Sequence, residues 1–251
     1  CERQRDSRTG EPEDIAMKQG VASPVPSAKR QWQFSTVDSS GFSAGYACSI
    51  CVGTDGGPHL FYQGRGKGDR PMVSGDFVHA FLHEGNWRSE TVDTDCTVFG
   101  AVYPAVSRSG TLHLLYQVFN SPGRDGLKYA CKRDQAWVTE DIYNKEIPER
   151  EMERRFGVTS FSLGLMVTDN FCFAVDRRNK LHLCYLDPEK HVLMYGVKSE
   201  ERGEWRWEVL EDVGPYELSC SRIWPSIAAG PSGRIFITYK RYQAEADGNP
   251  A

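Results

Sequence analysis

Three histidines stand three residues before a repeated tyrosine: His59 in HLFY, His113 in HLLY and His182 in HLCY, with Phe236 in the matching place of FITY. Gathered around one axis, three neutral imidazoles would make a nitrogen donor set for a transition-metal ion. The fourth member argues the other way, because phenylalanine can replace a packing side chain but not a ligand. His59, His113 and His182 are therefore read as residues that pack or bond between neighbouring units; no metal site is assigned and no cofactor is expected. Four tryptophans also recur, each followed five residues later by an aliphatic: Trp32 and Val37, Trp87 and Val92, Trp137 and Ile142, Trp205 and Leu210. Indole faces suit the apolar faces of sugars, yet a fixed spacing on an outermost strand suits wedges between units. Tyr46, Tyr103, Phe171 and Trp224 open the innermost strands and are the aromatics placed to line a central mouth and touch a ligand there.

A repeat must position these residues. The tyrosines that end the apolar runs, Tyr62, Tyr116, Tyr185 and Tyr239, are 54, 69 and 54 residues apart. Before each run comes a turn sequence, GTDGGP, SRSGT, DRRNK or GPSGR, rich in residues that close a hairpin. Before each turn lies another short strand: YACSICV at 46–52, YPAVS at 103–107, FCFAV at 171–175 and WPSIAA at 224–229. A third strand, FVHAFL, GLKYAC or HVLMYG, separates the tyrosine from the next tryptophan. Four short antiparallel strands in a unit of about 50 residues are the layout of a β-propeller blade. An immunoglobulin-like sandwich would not repeat one motif order four times. The expected fold is all-β, a propeller of four-stranded antiparallel blades, four or five in number. Its N-terminal segment from Trp32 to Val37 would pair with the C-terminal segment ending near Tyr239 to close the ring. A helix is expected only over 147–156 (IPEREMERRF), and 157–167 could add strands.

The units xxGxLHLxY and W-P-S-I-A-x-x-P-x-G resemble the BNR-like, sialidase-like repeats of bacterial β-propellers, propeller lectins among them, over residues 32–242. SRSGTL lacks the aspartate and tryptophan of the Asp-box form, and DRRNKL lacks its glycine. The segment SRIWPSIAA resembles the opening of sialidase domains, one residue longer in its R-I-W-P than the R-I-P of that group. The resemblance implies that Arg222 would grip a substrate carboxylate with its two-pronged guanidinium. It implies either a non-enzymatic propeller that recognises a glycan or a protein partner at its axial face, or a sialidase-like glycoside hydrolase. A structural assembly module of a larger protein is the third reading.

The chain has 251 residues, 30 basic and 34 acidic side chains and a formal net charge of -4. That balance offers no long-range attraction to a polyanion, so no nucleic-acid partner is expected. No stretch approaches the roughly 18 apolar residues of a membrane-spanning helix, so no membrane span is expected either. Residues 1–31 read as a flexible polar tether, 32–243 as the propeller domain and 244–251 as a C-terminal tail. Cys1 occupies the place that a cleaved bacterial lipoprotein would lipidate, which points to an extracytoplasmic protein, secreted or anchored at the surface. The eight cysteines form one CSIC (Cys48 and Cys51) and no second pair, unlike a zinc site. Cys131, Cys172 and Cys184 sit in strand-like apolar runs, where a thiol serves as a small hydrophobe. GRGKGDR at 64–70 lacks the G-K-[ST] of a phosphate loop and reads as a connection between strands.

Overall fold

The computed structural model describes residues 34–39, 45–66, 75–120, 124–146, 170–187, 189–200, 203–213 and 223–240. The chain divides into two units: Cys1–Ser35, of which only Phe34 and Ser35 are described, and Thr36–Ala251, which holds every strand discussed below. Trp32, Arg222, the expected helix at 147–156 and the segment 157–167 lie outside the described residues. The described residues form antiparallel β-structure with no helix.

The strands follow one another as four-stranded modules. The first contains β1 (Tyr46–Val52), β2 (Pro58–Gly66), β3 (Gly75–His83) and the start of β4 (Asn86–Val106). The second takes the remainder of β4, then β5 (Leu112–Asn120), β6 (Arg124–Arg133) and β7 (Ala136–Glu146). The third is β8 (Phe171–Val175), β9 (Lys180–Asp187), β10 (Val192–Ser199) and β11 (Arg206–Asp212), and a fourth begins with the hairpin β12 (Ser226–Ala229) and β13 (Ile235–Thr238). One feature differs from the expected layout. The tryptophan-bearing strand of the first module and the innermost strand of the second are a single 21-residue strand, β4. It pairs with β3 as far as Cys96 and with β5 from Thr97, which joins seven strands into one sheet.

All four turns between the first and second strands of a module close in the same way. The amide of Gly53, Ser107, Asp176 or Gly230 donates to the carbonyl four residues on, and the amide three residues on donates back to the first carbonyl. That third position has positive φ every time: Gly56 at 81°, Gly110 at 87°, Asn179 at 57° and Gly233 at 81°. Asparagine, the side chain that best tolerates the left-handed region, thus replaces the glycine missing from DRRNK.

The second and third modules bury both faces, one against the preceding module and one against the next. Leu114 and Tyr116 join Phe61 and Phe77 of the first module, while Leu115, Leu127 and Tyr129 join Phe171, Leu183 and Met194 of the third. On the third module's other face, Cys184 and Leu193 pack with Ile227, Ile237 and Tyr239 of the fourth. Strand alternation explains why Leu114 and Leu115, adjacent in sequence, serve two cores.

A polar tie crosses these seams at one recurring position. For three of the four repeated tryptophans, the residue six places on accepts a hydrogen bond from the tyrosine of a module's second strand. Tyr116 donates to Asp93 at 3.0 Å, and Tyr239 donates to Glu211. Asp93 stands six after Trp87 and Glu211 six after Trp205. Tyr62 of the first module likewise donates to Asp38 at 3.1 Å, and Asp38 stands six after Trp32. The segment at residue 38 thus offers the first module the same acceptor that an outermost strand offers the module after it. After Trp137 the corresponding residue is Tyr143, and Tyr185 meets Trp207 of its own module edge to face at 5.6 Å.

Candidate functional site

Through Nδ1, each second-strand histidine makes a hydrogen bond within its own module. Each reaches the ring two residues before its cross-strand partner on the third strand. Nδ1 of His59 lies 2.9 Å from Nε2 of His79; Nδ1 of His113 lies 2.8 Å from the Tyr129 hydroxyl; Nδ1 of His182 lies 2.7 Å from the Tyr195 hydroxyl. Adjacent strands bring such diagonal pairs within reach of long side chains. Nε2 then faces a carboxylate, Glu200 at 3.5 Å from His113 and Asp176 at 3.4 Å from His182. The geometry is consistent with a tyrosine O–H donating to Nδ1 and Nε2–H directed at the acid. The three histidines stand in three separate pairs, and among the described residues no three His, Cys, Asp or Glu side chains gather to hold a metal ion.

Burial dominates the electrostatics of these pairs. It pushes His79 and His113 down to about 4 despite the adjacent acids, because a charged imidazole is costly away from water. Burial also raises the Tyr116 and Tyr129 hydroxyls strongly. Burial alone would raise the Glu200 carboxyl too, but hydrogen bonds from Ser109, Thr111 and Ser107 hold it below its ordinary value. Glu200 extends from the end of β10, so its bonds to Ser107 (2.9 Å) and Ser109 (2.6 Å) fasten the third module to the turn of the second. Tyr129 and His113 are 2% and 1% exposed, so this tyrosine–histidine–carboxylate series has no route to a substrate and acts as a buried polar brace.

The tryptophans at the two inner seams are wedges. Trp137 lies edge-on to Phe61 and His79 of the first module and donates Nε1–H to Glu90 at 2.8 Å. Glu90 also accepts from Lys132 at 2.6 Å and from His79 at 2.8 Å. Burial would raise its carboxyl, and those donors instead hold it below its ordinary range. Trp205 meets Tyr129 edge to face at 5.7 Å, and Lys198 bonds to Glu140 across that seam. Neither Glu90 nor Glu140 emerges from the tryptophan-to-aliphatic spacing. The signal was present in the third residue after three of the four repeated tryptophans, glutamate at 90, 140 and 208.

The four aromatics expected at a ligand mouth separate into different environments. Phe171 is fully buried and meets half-buried Tyr103 edge-on at 5.3 Å; a ring with no exposed surface offers no face to a ligand in this arrangement. Tyr46 begins β1, and its backbone pairs with Gln63. Trp224 is different. It is 49% exposed, has a φ of 41°, precedes Pro225, and carries the Lys240 ammonium 5.7 Å from its ring centroid. A bulky side chain in the left-handed region is an outlier, and a following proline disfavours that conformation further. Its neighbours fix the strand: the Ile223 amide donates to the buried Asn170 side chain at 2.9 Å, and the Lys240 amide donates to the Ile223 carbonyl at 2.7 Å.

No protein-family model matches the sequence, and no curated protein matches it. Solved structures similar in fold include the α-L-arabinanase of Penicillium chrysogenum complexed with arabinobiose, at 13% identity and a TM-score of 0.47, covering 83% of this chain and 60% of that one. The polysaccharide lyase Uly1 is similar at 12% identity and a TM-score of 0.45, covering 81% and 48%. The SapL1 lectin, solved with alpha methyl fucoside, is similar at 11% identity and a TM-score of 0.42, covering 80% and 56%. The chain spans about half to three-fifths of the length of these proteins, and identities of 11–13% give no residue-level correspondence to its side chains.

Proposed function

We propose that this chain is a non-enzymatic, extracytoplasmic β-propeller that recognises a glycan at its axial face, with Trp224 as the aromatic platform. The observation that carries this reading is the Trp224 ring, half exposed in a left-handed backbone ahead of a proline and with a lysine over its face. Strain of this kind costs energy unless the surroundings impose it, and an exposed indole is suited to stacking on a sugar. Arg222, two residues before Trp224 in the sequence, is the arginine that the sialidase-like resemblance would assign to a ligand carboxylate.

The propeller reading joins the modules into a ring, with the segment after Trp32 as the outermost strand of the fourth module. The bond from Tyr62 to Asp38 supports it, because the same acceptor position ties Tyr116 to Asp93 and Tyr239 to Glu211. Cys1, under a lipid, would tether such a ring to a membrane surface through residues 2–31.

The test is a glycan array followed by calorimetry on the best ligand with Trp224→Ala and Trp224→Gly. Both variants should weaken binding at least tenfold. Trp224→Gly should hold stability level or raise it by about 1 kcal/mol, since glycine takes positive φ freely. Full affinity without the indole would contradict the assignment, and turnover of a bound glycoside would contradict the non-enzymatic reading.

A further inference from the structure

Among the described residues, Cys172 and Cys184 are the two cysteines that the strand registers set directly opposite each other. Cys172 lies in β8 and Cys184 in β9, and both are free thiols. Directly opposite residues of an antiparallel pair project from the same face. Here that face is the one turned to the fourth module. Cys172 and Cys184 share a core with Leu186, Leu193 and Ile223, whereas their neighbours Phe171, Phe173, Leu183 and Tyr185 enter the core shared with the second module. The two thiols therefore meet, and Cys184, ahead of burial, pushes the Cys172 thiol up.

The ladder fixes their spacing. The Leu186 amide donates to the Asn170 carbonyl and the Asp176 amide to the Lys180 carbonyl, and hydrogen-bonded pairs alternate with non-bonded ones along such a ladder. Cys172 and Cys184 stand two residues in from the first of these pairs, so they too are a hydrogen-bonded pair, with Cα atoms about 5.5 Å apart. That separation suits a disulfide, whose Cα atoms lie about 4.4–6.8 Å apart. The bond also needs Cβ atoms about 3.8 Å apart, closer than the roughly 5.5 Å of opposed residues at such a site. A small inward movement of the two strands closes it under strain, and strained disulfides are the reducible ones.

The cover over the pair is thin. Cys172 and Cys184 are 3% and 0% exposed, yet the β12–β13 hairpin lies over them, and its Ile227 and Ile237, with the adjoining Tyr239, are themselves only partly buried. That hairpin pairs with no further strand among the described residues. A two-stranded element has little stability of its own, and its local opening costs less than global unfolding.

We infer that Cys172 and Cys184 are a reversible redox pair, dithiol in this structure and disulfide after reaction with a small-molecule disulfide such as oxidised glutathione. One cysteine thiolate attacks a glutathione sulfur, forming a mixed disulfide and expelling the other glutathione as thiolate. The second cysteine, deprotonated in turn, attacks the protein-bound sulfur, forming the Cys172–Cys184 bond and expelling the second glutathione. Two electrons pass to the oxidant, and the two protons lost by the cysteines are balanced by those the two glutathione thiolates take up. The inference uses none of the residues of the axial platform and does not depend on the glycan reading.

The test uses the full folded chain at pH 8 in glutathione buffers that run from disulfide excess to thiol excess, quenched in acid, alkylated, and digested with trypsin without reduction. Arg177, Arg178 and Lys180 separate the two cysteines, so the bond appears as one linked pair of peptides. Disulfide excess should give at least tenfold more of that linked pair than thiol excess, and moving the oxidised chain, still folded, into thiol excess should reverse it. Ile237→Ala, which thins the cover, should speed linkage severalfold. Two alkylated thiols or two unlinked glutathione adducts after disulfide excess would overturn the inference, as would linkage of either residue to a different cysteine. A linked pair that persists in thiol excess would overturn its reversibility, and an unchanged rate in Ile237→Ala would contradict entry beneath the hairpin.

Discussion

Asp93 accepts from the Tyr116 hydroxyl at 3.0 Å and also from the Lys128 ammonium, so one carboxylate holds two strands of the following module. Tyr116 is fully buried, and the change to phenylalanine removes the donor without altering the ring that packs on Phe77 at 4.7 Å. Asp93 keeps Lys128 in that variant. Tyr116→Phe is therefore expected to lower stability by about 1.5 kcal/mol, the scale of a hydrogen bond to a charged acceptor, as read from urea unfolding. Asp93→Asn in the same background should then cost less than it does alone. The histidines set a pH dependence. Folding lowers His79 and His113 to about 4 from an ordinary 6.5, so between those values the unfolded chain binds protons that the folded chain refuses. Stability should be level above pH 7 and fall as pH drops from about 6.5 towards 4. Below that window the depressed carboxyls of Glu90 and Glu200 add a further loss as they protonate. Urea midpoints at pH 8, 6.5, 5 and 4 check this, and a flat profile down to pH 4.5 would contradict it.

At the scale of the strand, β10 and β11 show how one side chain constrains a whole element. Trp207 lies across Gly196, its cross-strand partner, so closely that a Cβ there would come within 2.4 Å of the indole Cζ3. Gly196→Ala should destabilise the chain by about 1–3 kcal/mol, the usual range for overpacking, and Trp207→Ala in the same background should return part of that in thermal unfolding. The apolar runs that became β2, β5 and β9 were legible because each is short, ends in tyrosine and follows a tight turn. FCFAV, expected as a strand at 171–175, is β8 to the residue. The continuity of β4 was not legible: Trp87 and Tyr103 belong to separate motifs, and the intervening TDCTVFG reads locally as a connection. Asn179 shows the same limit in miniature, because its left-handed backbone is set by a hydrogen-bonded turn and not by residue type alone.

For the whole molecule, the repeat order was readable from tryptophan and tyrosine spacing, whereas the ties that join the modules were not. Glu90 and Asp93 lie three and six residues beyond Trp87, an offset that carries no local preference and acquires meaning only when the next module arrives. The same holds for the site: Phe171 and Trp224 occupy equivalent places in the repeat, yet the seam with Tyr103 buries one ring while the other stays open. The proposed ring would act as a stability device, since it would bury the outer faces of the first and last modules against each other and leave only short, protected sheet edges. In the proposed ring the segment after Trp32 would serve as the outermost strand of the fourth module, and residues 36–38 would then be coupled to β12 and β13. Amide hydrogen exchange tests this most directly, with the full chain compared to one that begins at Gly45. Closure predicts that protection across residues 223–240 falls by tenfold or more when the segment is removed; unchanged protection there would contradict it.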